Sequence, residues 1–238
     1  MLFFYIRHGD PIYDPDSLTP LGRRQAEAVA KRLALYGIDR IYASTSDRAI
    51  ETAKPTCEIL KKEMTLVDFA NEGHAWHEFA KPYKDGRRWP FHHPDIKPIL
   101  AKSSVLTLGK NWYTHPELEK YGFKDGAERV RRESDAFFAE LGYDHVPDSN
   151  SYKITRKNDE RVALFAHQGF GLIFLSTLLD IPYPVFSTHF DMGHTGMTVI
   201  EFKEDLPGYS IPRVLTLAND SHLYREGLPT KFHNQLYF

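Results

Sequence analysis

Leu2-Phe3-Phe4-Tyr5-Ile6-Arg7-His8-Gly9 opens the chain, and Ala163-Leu164-Phe165-Ala166-His167-Gln168-Gly169 repeats its design far downstream. Each stretch is a short, unbroken apolar run that ends in a histidine, with a glycine close behind. A run with no polar alternation is the signature of a strand covered on both faces, which is the habit of parallel sheets. In open α/β sheets, ligands bind just beyond the carboxyl ends of strands, where the strand order reverses. Each run is therefore expected to carry its histidine to the functional edge, with the glycine letting backbone approach a ligand closely.

Reading outward from these runs gives an alternation of strands and helices. Thr19-Pro20 supplies an N-cap followed by proline at the first helical position, Ala26, Val29, Ala30 and Leu33 recur at helical spacing, and Gly37 is the stop. Ile38 to Ala43 reads as a second strand leading to Ser46-Asp47-Arg48, where Ser46 caps a second helix. Ile50, Ala53, Cys57 and Leu60 form its inward stripe, and Pro55 predicts a bend or a split. Glu63 to Phe69 is a third strand. A helix spans Gly126 to Leu141, a polar loop with a hairpin edge near Tyr152 to Thr155 follows, and another helix spans Gly171 to Leu179. Met197 to Phe202 and Arg213 to Ala218 complete the strands. The expected fold is a three-layer α/β/α sandwich on a mostly parallel central sheet.

Between Gly73 and Lys124 the periodicity fades into aromatics, prolines and the basic group Lys81, Lys84, Arg87 and Arg88. About 50 residues without a clear element predict an inserted, lid-like lobe that shapes specificity, within a single domain over residues 1–238. The insert's aromatics are expected to form a small core of their own, and its basic group a solvated face or a steering patch for an anionic substrate. With 30 basic and 32 acidic residues the net charge is −2, and the composition is 42% apolar and 26% charged. That balance speaks against an electrostatically driven nucleic-acid binder and against disorder. A single cysteine, Cys57, allows neither an intramolecular disulfide nor a cysteine-rich zinc site. The apolar start is too short for a signal peptide or a membrane span, so the expected location is cytoplasmic, with no membrane partner.

If the three strand ends are neighbours, they gather His8, His167, Arg7, Arg48 and a helix N-terminus. Such a set suits a phosphoryl group, because guanidinium forks match its oxygens and helix N–H groups attract anions. Without a Gly-rich phosphate loop or a metal cage in the sequence, histidine is the best nucleophile. It attacks as the neutral ring, so an acceptor should hold its other nitrogen as N–H. Neither His74 and His77 nor His92 and His93 complete a zinc-like set, and no metal or other cofactor is expected. An arginine–histidine pair alone after a strand is usually incidental; the repeated strand–histidine–glycine unit and Arg48 at a helix start give it weight.

These residues, with Leu18-Thr19-Pro20-Leu21-Gly22-Arg23-Arg24-Gln25-Ala26, Arg48-Ala49-Ile50-Glu51-Thr52-Ala53, Gly126-Ala127-Glu128 and Ala218-Asn219-Asp220-Ser221-His222-Leu223, resemble the histidine phosphatase superfamily, also called phosphoglycerate mutase-like. The resemblance implies His8 as the phosphorylated nucleophile, with Arg7, Arg48 and His167 holding the phosphoryl oxygens. It also implies an acidic proton donor after the third strand: Glu72 is favoured, with Glu78 and Asp10 as competitors. Gln168 and His194 are expected to line the substrate pocket, although a histidine at 194 bonded to nearby backbone is the competing reading. The mutase branch carries an asparagine soon after its Arg-His-Gly-Glu; here the stretch reads Arg7-His8-Gly9-Asp10-Pro11-Ile12-Tyr13-Asp14. The resemblance therefore implies a metal-independent phosphomonoesterase acting on a small phosphorylated substrate. The alternatives are a cofactor-dependent phosphoglycerate mutase and a non-catalytic binder of phosphate esters. Substrate identity and oligomeric state are not encoded legibly.

Overall fold

The computed structural model describes residues 1–230. Six strands make the central sheet: β1 (Leu2–Arg7), β2 (Arg40–Ser44), β3 (Met64–Val67), β4 (Arg161–Ala166), β5 (Met197–Glu201) and β6 (Arg213–Asn219). Their order is β6-β5-β1-β4-β2-β3. The pairs β1–β4, β4–β2 and β2–β3 are parallel, while β5 runs antiparallel to both β1 and β6. The sheet is thus mostly parallel, and it is layered on both faces by helices.

Both faces of β1 are buried, as its unbroken apolar run requires. Phe3 and Tyr5 point into one cluster, with Val130, Phe137 and Phe138 of the helix Lys124–Glu140 and Phe170 and Phe174 of the helix Gln168–Leu178. Phe4 and Ile6 point the other way, onto Val29 and Leu33 of α1 (Pro20–Tyr36) and Ala53 and Cys57 of α2 (Asp47–Leu60). Burying one such side chain contributes roughly 1.5–3 kcal/mol, so the strand is fixed from both sides. With α3 (Glu72–Phe79), α4 (Lys124–Glu140) and α5 (Gln168–Leu178) on the first face, this is the three-layer sandwich.

The first helix is bounded by the expected signals. The Thr19 hydroxyl accepts from the Gly22 amide at 3.0 Å, and Gly37 ends the helix at φ 71°. Other expectations need correction. α2 is not split at Pro55: the proline removes one helical hydrogen bond, to Glu51, and both residues are only partly buried, where water can serve the carbonyl. The buried stripe of α2 is Ala49, Thr52, Ala53, Thr56 and Cys57, with Ile50 and Leu60 only half covered. On this face Thr52 accepts from the Gly9 amide in the loop after β1. α5 begins at Gln168 rather than Gly171, so His167 stands at its N-cap. The hairpin edge expected near Tyr152 does form: Tyr152–Ile154 pairs antiparallel with Tyr143–His145, and the two join a separate four-stranded sheet.

The region from Gly73 to Lys124 is not featureless. It holds most of α3, a hairpin of Lys81–Tyr83 and Gly86–Arg88, and several helical segments of three to six residues. Its aromatics do not form a small core apart; Phe79, Phe91, Trp112 and Phe123 join the main cluster beside Phe170 and Phe174. Segments this short show little periodicity, and tertiary contact rather than local propensity holds them.

Away from the sheet edge, His145 is clamped between two carboxylates. Its Nδ1 lies 3.1 Å from Asp135 of α4 and its Nε2 lies 2.8 Å from Asp180, just past α5. The ring stacks on Tyr152 at 4.9 Å. These two acids raise its pKa to about 9. A histidine that titrates near 6.5 when unfolded and near 9 when folded binds its proton more tightly in the fold. The clamp therefore stabilises fully below pH 6.5 and is lost as pH rises towards 9, a change on the order of 2–3 kcal/mol. Urea unfolding at pH 6 and pH 9.5 should show wild-type stability falling by about that much more than in His145→Gln. Parallel pH slopes in the two proteins would disprove the clamp.

Candidate active site

The parallel pairing of β1 with β4 places Arg7 opposite Ala166, so the next residues, His8 and His167, emerge side by side. The His8 amide donates to the Ala166 carbonyl at 2.9 Å, and the two ring centroids lie 5.2 Å apart. Both rings are buried, at 1% and 0% exposure. Glycine serves this approach in an unexpected way. A Cβ on Gly9 would lie 2.6 Å from the Gly22 carbonyl oxygen, and one on Gly169 would lie 2.2 Å from the Trp89 ring. The glycines let α1 and Trp89 pack tightly behind the histidines rather than letting a ligand touch the backbone.

His8 donates from Nδ1 to the Gly9 carbonyl at 2.7 Å, which leaves the Nε2 lone pair available. Burial first, then the nearby His167 and Arg7, push its pKa well below the usual histidine value. His167 is likewise pushed well down, by burial and then by Arg48 and Arg7. Both rings are therefore neutral at pH 7. His167 Nε2 lies 2.8 Å from the Ser44 hydroxyl at the end of β2. With Ser44 as donor, the His167 proton sits on Nδ1, which faces Glu72 at 3.7 Å.

Arg7 donates to the Met192 carbonyl and, at 3.0 Å, to His194 Nε2. His194 in turn places Nδ1 3.4 Å from Asp10, and its ring lies 5.8 Å from that of His8. Arg48 lies between Asp16 at 2.8 Å and Glu72 at 3.2 Å. Nε of Arg7, Nε of Arg48 and Nδ1 of His167 are all buried, and none makes a hydrogen bond among the described residues. Buried donors left unmatched are costly, so these groups favour an acceptor-rich anion between them.

Of the three candidate acids, the structure brings Glu72 to the imidazole pair. Its Oε1 accepts from the Gly169 amide at 2.8 Å at the start of α5, and its Oε2 faces Arg48 and His167. Glu78 is turned away, its carboxylate forked onto Arg129 at 2.6 and 2.7 Å. Asp10 accepts from the Thr19 hydroxyl at 2.8 Å and faces His194. His194 is thus beside His8 through its ring, not merely bonded to nearby backbone. Gln168 donates to Asp191, whose charge acts on Arg7. The basic group of the insert is occupied within its own neighbourhood: Arg87 on the His77 and Ala80 carbonyls, Arg88 on Asp85, Lys81 on the Glu78 carbonyl.

Sequence reading missed the supports. Ser44 holds His167, and the Thr52 hydroxyl accepts from the Gly9 amide at 3.0 Å. Thr195, at φ 56°, donates its amide to the His8 carbonyl at 3.2 Å, and its hydroxyl lies 3.0 Å from His222 Nε2. Burial, then Arg32, lowers the His222 pKa to about 4. The motif from Ala218 to Leu223 was visible, but nothing in it announced contact with the loop at 195.

Among the described residues, His8, Glu72 and His167 also form the one carboxylate–imidazole cluster close enough to hold a metal ion, their ligand atoms lying within 4.8 Å of one another. Two guanidiniums next to that cluster oppose a cation and favour an anion.

Residues 4–99 match the model of the histidine phosphatase superfamily (branch 1), the family that the sequence motifs resemble. No curated protein matches in sequence. Among solved structures, a histidine-to-alanine mutant of phosphoserine phosphatase from Entamoeba histolytica, in complex with phosphoserine, superposes with a TM-score of 0.60 at 18% identity, over 93% of this chain and 98% of its own. A mycobacterial glucosyl-3-phosphoglycerate phosphatase superposes with a TM-score of 0.55 at 18% identity, over 91% of this chain and 98% of its own. At these identities the likeness is one of fold. No helix among the described residues is long and apolar enough to cross a membrane.

Ring-selective NMR checks the electrostatics. His8 should show a neutral, Nδ1-protonated ring with no titration from pH 5.5 to 8, while His145 stays protonated over the same range. A midpoint near 6.5 for His8 would contradict the assigned effects of burial and the neighbouring cations.

Proposed function

We propose that this protein is a phosphomonoesterase that works through a phosphohistidine on His8, without a metal. The observation that carries the reading is the neutral His8 ring, its Nδ1 fixed on the Gly9 carbonyl, set among the buried and unmatched donors of Arg7, Arg48 and His167. A nucleophile needs an available lone pair, and a phosphoryl group in transfer spreads negative charge over three oxygens. The site supplies both, and donors already in place need no reorganisation when that charge develops.

In the first step His8 Nε2 bonds to phosphorus as the ester P–O bond breaks. The departing oxygen takes a proton from Glu72 in its acid form, giving the alcohol and a phosphoenzyme. In the second step water bonds to phosphorus, the P–N bond breaks, and its electron pair returns to Nε2. Glu72 takes the water's proton. Arg7, Arg48 and the Nδ1–H of His167 hold the phosphoryl oxygens throughout. His194, braced between Arg7 and Asp10, and Ser44, behind His167, are positioning residues in this scheme. Trp76 and Trp89 come from the stretch 73–124, which in this reading acts as the specificity insert.

Kinetics with two leaving groups test the assignment. His8→Ala should lose essentially all hydrolysis of p-nitrophenyl phosphate and of alkyl phosphates. Glu72→Gln should lose roughly 10²–10⁴-fold on alkyl phosphates, whose alkoxide needs the proton, and far less on p-nitrophenyl phosphate. Unchanged turnover in His8→Ala would overturn the proposal; equal losses on both esters in Glu72→Gln would remove Glu72 as the proton donor.

A further inference from the structure

Arg48 and Glu72 have a second side. Besides meeting the imidazole site, they line a cleft of about 770 Å³. An ester held by the phosphoryl site would direct its alcohol into this space, so the cleft walls choose the alcohol. Part of the lining is aromatic: Trp76 and Trp89 meet edge to face at 5.2 Å, and Tyr13 has the Arg48 guanidinium 5.5 Å from its ring.

The charge of the lining is the telling feature. Asp16, Asp47 and Glu72 line the cleft, while Arg48 is the one arginine or lysine among the described lining residues. Asp16 and Glu72 already flank Arg48, at 2.8 and 3.2 Å. Asp47, at the first turn of α2, is exposed and adds further negative charge. The insert's lysines and arginines do not reach the lining. With Glu72 in its acid form for the first step, Asp16 and Asp47 still outnumber Arg48, so a second phosphate or a carboxylate on the alcohol would meet net negative charge.

An independent mark of a ligand is Ser46. It occupies the N-cap of α2, yet its hydroxyl caps nothing; the residue is 8% exposed and its side chain makes no hydrogen bond among the described residues. A hydroxyl left unpartnered in the cleft lining is a polar contact suited to an incoming ester.

We infer that the cleft is a leaving-group subsite for an alcohol that carries an ammonium cation, so that the substrates are phosphomonoesters of amino or quaternary-ammonium alcohols. Indole faces attract cations through their quadrupole, and nearby carboxylates add to the attraction. Aromatic walls alone would accept a neutral ring equally well; the surplus of carboxylates decides for the cation. This inference rests on the phosphomonoesterase reading for its chemistry, but it is a separate statement about binding.

The test compares phosphocholine with its uncharged isostere 3,3-dimethylbutyl phosphate, with 3-phosphoglycerate and with a nucleoside 5′-monophosphate. Wild-type kcat/KM should favour phosphocholine over the isostere by about tenfold or more, with 3-phosphoglycerate the poorest, a preference expected of a cation–π site with added carboxylates. In Asp47→Asn and in Trp76→Leu the ratio of phosphocholine to isostere should fall towards one, chiefly through KM. A wild-type ratio of one or less would overturn the inference, as would a preference for 3-phosphoglycerate or the nucleotide. If no ester is hydrolysed, the phosphomonoesterase reading fails, and calorimetric titration with phosphocholine and the isostere still decides the subsite: tighter phosphocholine supports it, equal affinities refute it.

Discussion

Two imidazoles, buried 5.2 Å apart beside two guanidiniums, are the constraint on which the rest of this structure turns. In such surroundings neither ring can carry a proton cheaply, because burial and the neighbouring cations act in the same direction. The rings are kept neutral, and the positive charge of Arg7 and Arg48 has to be answered by anions. Glu72 and Asp16 answer it in part. The buried N–H groups left without partners are what a tetrahedral oxyanion would satisfy, and this is why the site reads as one for phosphoryl transfer.

The scaffold meets the constraint by register. Because β1 and β4 are parallel neighbours, residues that follow each strand arrive together without any long loop having to be ordered. Gly9 lets α1 close directly behind His8, and Gly169 lets Trp89 close over the start of α5. The backbone of His8 is then held from both sides, by the Ala166 carbonyl and the Thr195 amide. Rigid strands place the rings, and two close contacts that tolerate no Cβ keep them there.

Much of this was legible in the sequence, for reasons that can be named. Unbroken apolar runs identify strands buried on both faces, and Thr19-Pro20 with Gly37 bounds α1 by capping chemistry that acts locally. The repeated strand–histidine–glycine unit by itself implies two rings on one edge. What could not be read depends on partners distant in the chain. Glu78, six residues beyond Glu72, offers the same chemistry in sequence, and its carboxylate is instead forked onto Arg129. The partner of Gln168, Asp191, lies 23 residues on and is not announced by any motif. The insert gave no period because its short segments are held by the main core rather than by their own sequence. Pro55 does not split α2, since a helix with a partly wetted face tolerates one missing donor.

Covalent trapping tests the central claim most directly. Wild-type protein mixed with a ³²P-labelled ester and quenched within milliseconds should yield one phosphopeptide, spanning Leu2 to Gly9, with the acid-labile, base-stable linkage of an N-phosphorylated imidazole. Label on any other residue, or rapid hydrolysis with no label at any quench time or pH, would contradict the account.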